Sequence, residues 1–152
     1  MSTTVAPPPT RRELRKTKPK NLKVIAVWGS PGSGKSTIAL NLAAELAARK
    51  FKVLLIDADT HAPTQATALA LTDHPAGLAP MLRFARQGRL NPEEFDSQSI
   101  TLRSGRAQFT LLPGINPNRW PEVTPQAFEL LIEHATKQFD FVVIDSASDI
   151  ES

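Results

Sequence analysis

The sequence predicts an α/β three-layer sandwich built on a mostly parallel sheet. Two observations carry that prediction. Four short segments are nearly continuous apolar runs, which mark strands covered on both faces, and stretches of helical period lie between them. A third observation sets the scale: 152 residues, 41% of them hydrophobic, suffice for one domain with a real core.

In chain order, the first strand is expected over Lys23 to Trp28, with Trp28 ending it inside the core. Lys35 to Arg49 reads as a helix. Ile38, Leu42 and Leu46 recur four apart beside Ala39, Ala43 and Ala47, a stripe suited to packing on a sheet. KVLLID, Lys52 to Asp57, is the second strand. Pro63 to Leu71 and Leu78 to Gln87 read as short helices separated at Pro75 and Gly77. Asn91 and Pro92 open another, and Ser99 to Arg103 is a short strand turning at Ser104 and Gly105. FTLLPG, Phe109 to Gly114, is the next buried strand. Thr124 caps and Pro125 starts a helix that buries Phe128, Leu131, Ile132 and Ala135. Phe139 to Asp145 is the last strand. The connections imply right-handed crossovers.

The segment GSPGSGKST, Gly29 to Thr37, is poor material for either structure that it joins. Its spacing satisfies G-x-x-x-x-G-K-[ST], and it follows an apolar strand and opens a helix, the context that a P-loop requires. Gly29, Ser30, Pro31, Gly32, Ser33 and Gly34 are expected to curl the backbone so that its amides face a phosphate, at the positive end of the helix dipole. Lys35 brings a full charge to the β- and γ-phosphates. The Ser36 hydroxyl is a magnesium ligand, and Thr37 completes the cradle. Asp145 ends FVVID at the C-terminal edge of the sheet, where ligands of open α/β folds bind, and is expected in the magnesium shell. KVLLIDAD adds two acids, Asp57 and Asp59, of which at least one reaches the same edge; the plainer reading is a capping Asp before a helix.

Together, GSPGSGKST, VLLIDADTHAPTQ and FDFVVIDSA resemble the ParA/MinD class of P-loop ATPases, over about Leu22 to Ser152. GLAPMLRFARQGRL and LLPGINPNRWPEV look like that class's CpaE/TadZ-like branch, linked to pilus assembly and polar localisation. The resemblance implies that Asp59 orients the attacking water, that Asp57 supports the magnesium shell, and that Thr60 to Gln65 form a switch sensing the γ-phosphate. It implies ATP and Mg²⁺ as cofactors and an ATP-dependent homodimer. Ser30 stands where the class carries a signature lysine that reaches across that dimer, and Arg119 is a weak substitute, better read as a surface residue. Domains of the class continue past the hhhhD segment, so the resemblance also implies either a P-loop NTPase domain truncated after the Walker B strand or an unusually reduced protein. Such a cut leaves a buried-type strand at an exposed edge.

Charge is unevenly distributed. Met1 to Lys23 holds seven basic residues and one acid, net +6; the rest holds 11 basic and 14 acidic residues, net −3. Residues 1–21 are expected to be a disordered basic tail, too poor in large apolar side chains to offset the entropy of ordering, and 22–152 the folded domain. Arg11, Arg12, Arg15, Lys16, Lys18 and Lys20 form either an arm for DNA or anionic lipid, or a solubilising leader. With no cysteine, disulfides and thiolate metal sites are excluded. No run is long enough to cross a bilayer or form a signal core, so a cytoplasmic protein is expected, peripheral to nucleoid or membrane. His61, His74 and His134 lack metal-ligand spacing. Trp120 is either a partner anchor or a loop plug.

The expected function is a slowly hydrolysing, Mg-dependent ATPase acting as a nucleotide-gated partitioning, localisation or pilus-assembly switch with a protein partner. A small-molecule or nucleotide kinase shares the P-loop, but Arg83, Arg86, Arg89, Arg103 and Arg106 are scattered instead of gathered in a late lid. A non-catalytic nucleotide-binding interaction module is the third reading.

Overall fold

The computed structural model describes residues 23–29, 33–58, 77–114 and 124–146. Five strands, β1 Val24–Val27, β2 Val53–Ala58, β3 Ile100–Ser104, β4 Ala107–Leu112 and β5 Phe141–Ser146, form one sheet in the order β1-β5-β2-β4-β3. The pairs β1·β5, β5·β2 and β2·β4 are parallel, and the β3–β4 hairpin is antiparallel. Four helices, α1 Lys35–Ala48, α2 Leu78–Arg86, α3 Pro92–Gln98 and α4 Pro125–Gln138, complete the described elements. The mostly parallel three-layer sandwich is therefore present.

Alternation along the central strands divides the core in two. Leu54, Ile56, Leu112, Val142 and Ile144 face one way and pack with Leu78, Met81 and Leu82 of α2 and Leu131 and Ala135 of α4. Val53, Leu55, Leu111 and Val143 face the other way and meet Ala39, Ala43 and Ala47 of α1. Both sets are buried, so the strands contain no polar alternation to announce an exposed face.

Local chemistry sets the helix starts. The Asn91 side chain accepts from the Glu94 N–H at 2.9 Å, followed by Pro92 and the acids Glu93 and Glu94, which suit the positive end of α3. Thr124 Oγ1 accepts from the Ala127 N–H at 3.3 Å, with Pro125 in the first turn of α4. Gly77 starts α2 at φ 68°, and the Leu78 N–H donates to the Pro113 carbonyl at 2.9 Å, pinning this helix to the end of β4.

Two expectations about packing are corrected. The fully buried apolar line of α1 is Ala39, Ala43 and Ala47, with Leu42 and Leu46 half-buried against the same core and Ile38 56% exposed. Small side chains let the helix backbone lie close to the sheet, which leaves Ile38 toward solvent. Trp28 is 69% exposed instead of lying in the core, because it follows β1, one of the two edge strands of the described sheet. The buried strand expected at Phe109 begins earlier, at Ala107, through its pairing with β3. The helix expected at Pro63 to Leu71 and the tail 1–21 lie outside the described residues.

Candidate functional site

β1, β5 and β2 run parallel and end together, so their C-terminal tips form one ledge. In the register Val27 pairs with Asp145, and Asp145 with Asp57. Asp57 lies two residues beyond Leu55 and Asp145 two beyond Val143. Leu55 and Val143 face α1, so the period of two carries both carboxylates to that side of the sheet. Both acids are fully buried.

α1 begins over this ledge. Its N-cap, Gly34, has φ 80°, a conformation that a side chain strains, and its carbonyl accepts from the Ile38 N–H at 3.0 Å. No side chain caps the helix, in contrast to α3 and α4, and its first turn holds no acid, in contrast to α3. Among the described residues the positive end of the dipole thus has neither a side-chain cap nor a first-turn acid, the condition under which a helix start receives an anion. A Cβ built on Gly29 comes within 2.8 Å of Ser33 Oγ, so the loop returns upon the end of β1.

Lys35 is buried, and its Nζ donates to the Ser146 carbonyl at 2.6 Å. That bond holds the ammonium across the tip of β5. The Ser146 hydroxyl in turn donates to the Val27 carbonyl at 3.0 Å, tying β5 to β1 beneath the loop. Sequence reasoning missed Ser146; its only signal was its place immediately after the strand-ending acid.

Of the residues expected at the site, Gly29, Ser33, Gly34, Lys35, Ser36, Thr37, Asp57 and Asp145 are described. The structure brings Lys35, Asp57 and Asp145 to one face at one end of the sheet, with Ser36 half-buried beside Lys35 and Thr37 exposed. Ser30, Pro31, Gly32, Asp59, the switch segment Thr60 to Gln65 and Arg119 lie outside the described residues. The donor set fits a magnesium nucleotide: Ser36, Asp57 and Asp145 offer the oxygen ligands that this hard cation takes, while Lys35 and the helix start suit phosphate oxygens. Among the described residues there is no cluster of three or more His, Cys, Asp or Glu able to hold a metal alone.

The model of the CobQ/CobB/MinD/ParA nucleotide binding domain matches residues 24–147. The chain belongs to this family. A tyrosine-protein kinase CpsD of Streptococcus pneumoniae is 29% identical over 83% of this chain and 53% of its own length. The iron-sulfur cluster carrier protein of Pyrococcus abyssi is 30% identical over 92% of the chain and 48% of its own length. The ParA family ATPase from Chlorobium tepidum superposes with a TM-score of 0.71 at 22% identity, covering 86% of this chain and 53% of that one. The septum site-determining protein MinD complexed with Mg-ADP, from Pyrococcus horikoshii, does so at 0.64 and 23%, covering 84% and 49%. The chain thus spans about half the length of the curated relatives that it matches. No helix among the described residues is long and apolar enough to cross a membrane.

Proposed function

We propose that this ParA/MinD-type domain binds ATP with Mg²⁺ and hydrolyses it slowly, as the nucleotide-gated switch of a partitioning, localisation or assembly system. The observation supporting this most directly is the convergence of Lys35, Asp57 and Asp145 on the face where α1 begins without an acid or a side-chain cap.

In this reading the amides around Gly34 and the Lys35 ammonium bind the terminal phosphates. The Ser146 carbonyl orients that ammonium, so less side-chain entropy is lost when phosphate arrives. Ser36 and Asp145 hold Mg²⁺ and Asp57 supports its shell. The bound ion supplies charge compensation for the transferring phosphoryl group. Asp59 orients the attacking water, and the domain forms an ATP-dependent homodimer, without the signature lysine whose place Ser30 takes. The tail 1–21 serves as an arm for DNA or anionic membrane, a role compatible with a cytoplasmic protein.

Lys35→Ala is expected to abolish binding of labelled ATP, and Asp59→Ala to keep binding while losing phosphate release by about a hundredfold or more. Normal turnover by Asp59→Ala would defeat the mechanism.

The resemblance to a tyrosine-protein kinase supports a second reading, phosphoryl transfer to an acceptor. The 152 residues contain no tyrosine, so transfer to tyrosine needs an acceptor outside this sequence. Phosphate release from ATP alone favours the switch; ADP formed only when an acceptor is added, with the phosphoryl group recovered on that acceptor and no free phosphate, favours the kinase.

A further inference from the structure

At the opposite end of the sheet from Lys35, where β2 and β4 begin, lies a cleft of about 420 Å³. Its origin is a mismatch in strand length. Pairing between β2 and β4 starts at Leu54 and Thr110, whereas β4 remains paired with β3 as far as Ala107 and Ser104. Ala107, Gln108 and Phe109 therefore overhang the start of β2, and the C-terminal end of α1 closes the other side.

Lys50, Lys52 and Arg106 line this cleft, in a body that is net acidic beyond Lys23. Among the described residues none of the three has a carboxylate ion-pair partner. The nearby Asp140 carboxylate accepts from the Lys52 backbone N–H at 2.8 Å, while the Lys52 ammonium lies 5.9 Å from the Phe139 ring centroid. Phe51 adds a ring that is 41% exposed and braced edge-on by Phe141 at 4.9 Å. Lys50 sits at φ 67°, the only described non-glycine residue with positive φ. The position follows the end of α1, where glycine is the usual occupant. A lysine kept at a strained position beside a cleft points to a use for its charge.

We propose that this cleft is a second binding site, for an organic phosphate carrying a flat ring. Three cations match a phosphate dianion. Phe51 offers an exposed surface on which a ring stacks, and the volume suits a small ligand. The site stands apart from the P-loop and does not depend on the function proposed for it.

The test is calorimetric titration of the full chain with 1-naphthyl phosphate, 2-naphthol and inorganic phosphate, in the wild type and in Lys35→Ala. Saturable binding of 1-naphthyl phosphate, retained in Lys35→Ala and at least tenfold tighter than either control, is expected. Arg106→Ala and Lys50→Gly should each weaken it about tenfold, while Lys50→Gly raises the melting temperature by about 1–4 °C. Loss of binding in Lys35→Ala would place the phosphate in the P-loop and overturn the proposal. So would controls that bind as tightly as 1-naphthyl phosphate, or affinity unchanged in both cleft variants.

Discussion

At the scale of single residues, the tightest glycine among those described is Gly77, outside the phosphate loop. A Cβ there would stand 2.3 Å from the Pro113 carbonyl oxygen, which also accepts the Leu78 N–H, and φ is 68°. Backbone on both sides of the clash leaves nothing flexible to yield. Gly77→Ala is expected to cost about 3 kcal/mol or more, from the unfavourable φ together with displacement of α2. Gly105→Ala has a similar φ of 60° with nothing within 4 Å, and should cost only about 1 kcal/mol. Urea midpoints of the two variants check the contrast; equal shifts would show that contact adds nothing. The sequence marked Gly77 only as a helix breaker, since its partner Pro113 is distant in the chain. Lys35 was legible because its spacing reports chemistry, whereas Trp28 was misread because apolarity alone does not reveal that its strand is at an edge.

At the scale of elements, α1 and α2 end in the same way with different residues. The Phe51 N–H reaches the Leu46 carbonyl at 3.2 Å and the Lys50 N–H the Ala47 carbonyl at 2.9 Å. In α2 the Arg89 N–H reaches Phe84 at 2.9 Å and the Gly88 N–H reaches Ala85 at 3.2 Å. Both are Schellman motifs, with Lys50 and Gly88 in the left-handed position at φ 67° and 66°. Relief of about 1–2 kcal/mol of strain, less about 0.4–1 kcal/mol for a more flexible unfolded chain, makes Lys50→Gly stabilising by about 0.5–1 kcal/mol in thermal or urea unfolding. The packing of α1 predicts a second pair of variants. Ala43, wholly buried against the sheet, should cost about 1–3 kcal/mol as Ala43→Leu. Exposed Ile38 should change stability by less than about 0.5 kcal/mol as Ile38→Ser. The reverse ranking would mean that α1 packs by its isoleucine row after all. Sequence placed this helix almost to the residue but not its rotation, because alanine and isoleucine lines at the same spacing both qualify as apolar, and only contact with the sheet chooses the smaller.

At the scale of the molecule, the layers and the parallel character were legible, since strands with no polar face require cover on both sides. The strand order was not, because β1 and β5 are neighbours although the whole body separates them in the chain, and no local signal encodes that pairing. Charge is the other global property, and it is segregated: +6 up to Lys23 and −3 beyond it. An acidic body repels polyanions at long range, so DNA affinity in this chain is expected to come from the tail. An arm contacting about six phosphates releases their counterions, and its affinity should fall on the order of a thousandfold between 50 and 200 mM salt. Fluorescence anisotropy with a short duplex, for the full chain and for one lacking residues 1–21, measures this directly. A steep slope that vanishes on deletion supports the arm. A flat response in both makes the tail a solubilising leader, and a steep response in both moves the contact to the body, where Lys50, Lys52 and Arg106 are the first residues to replace.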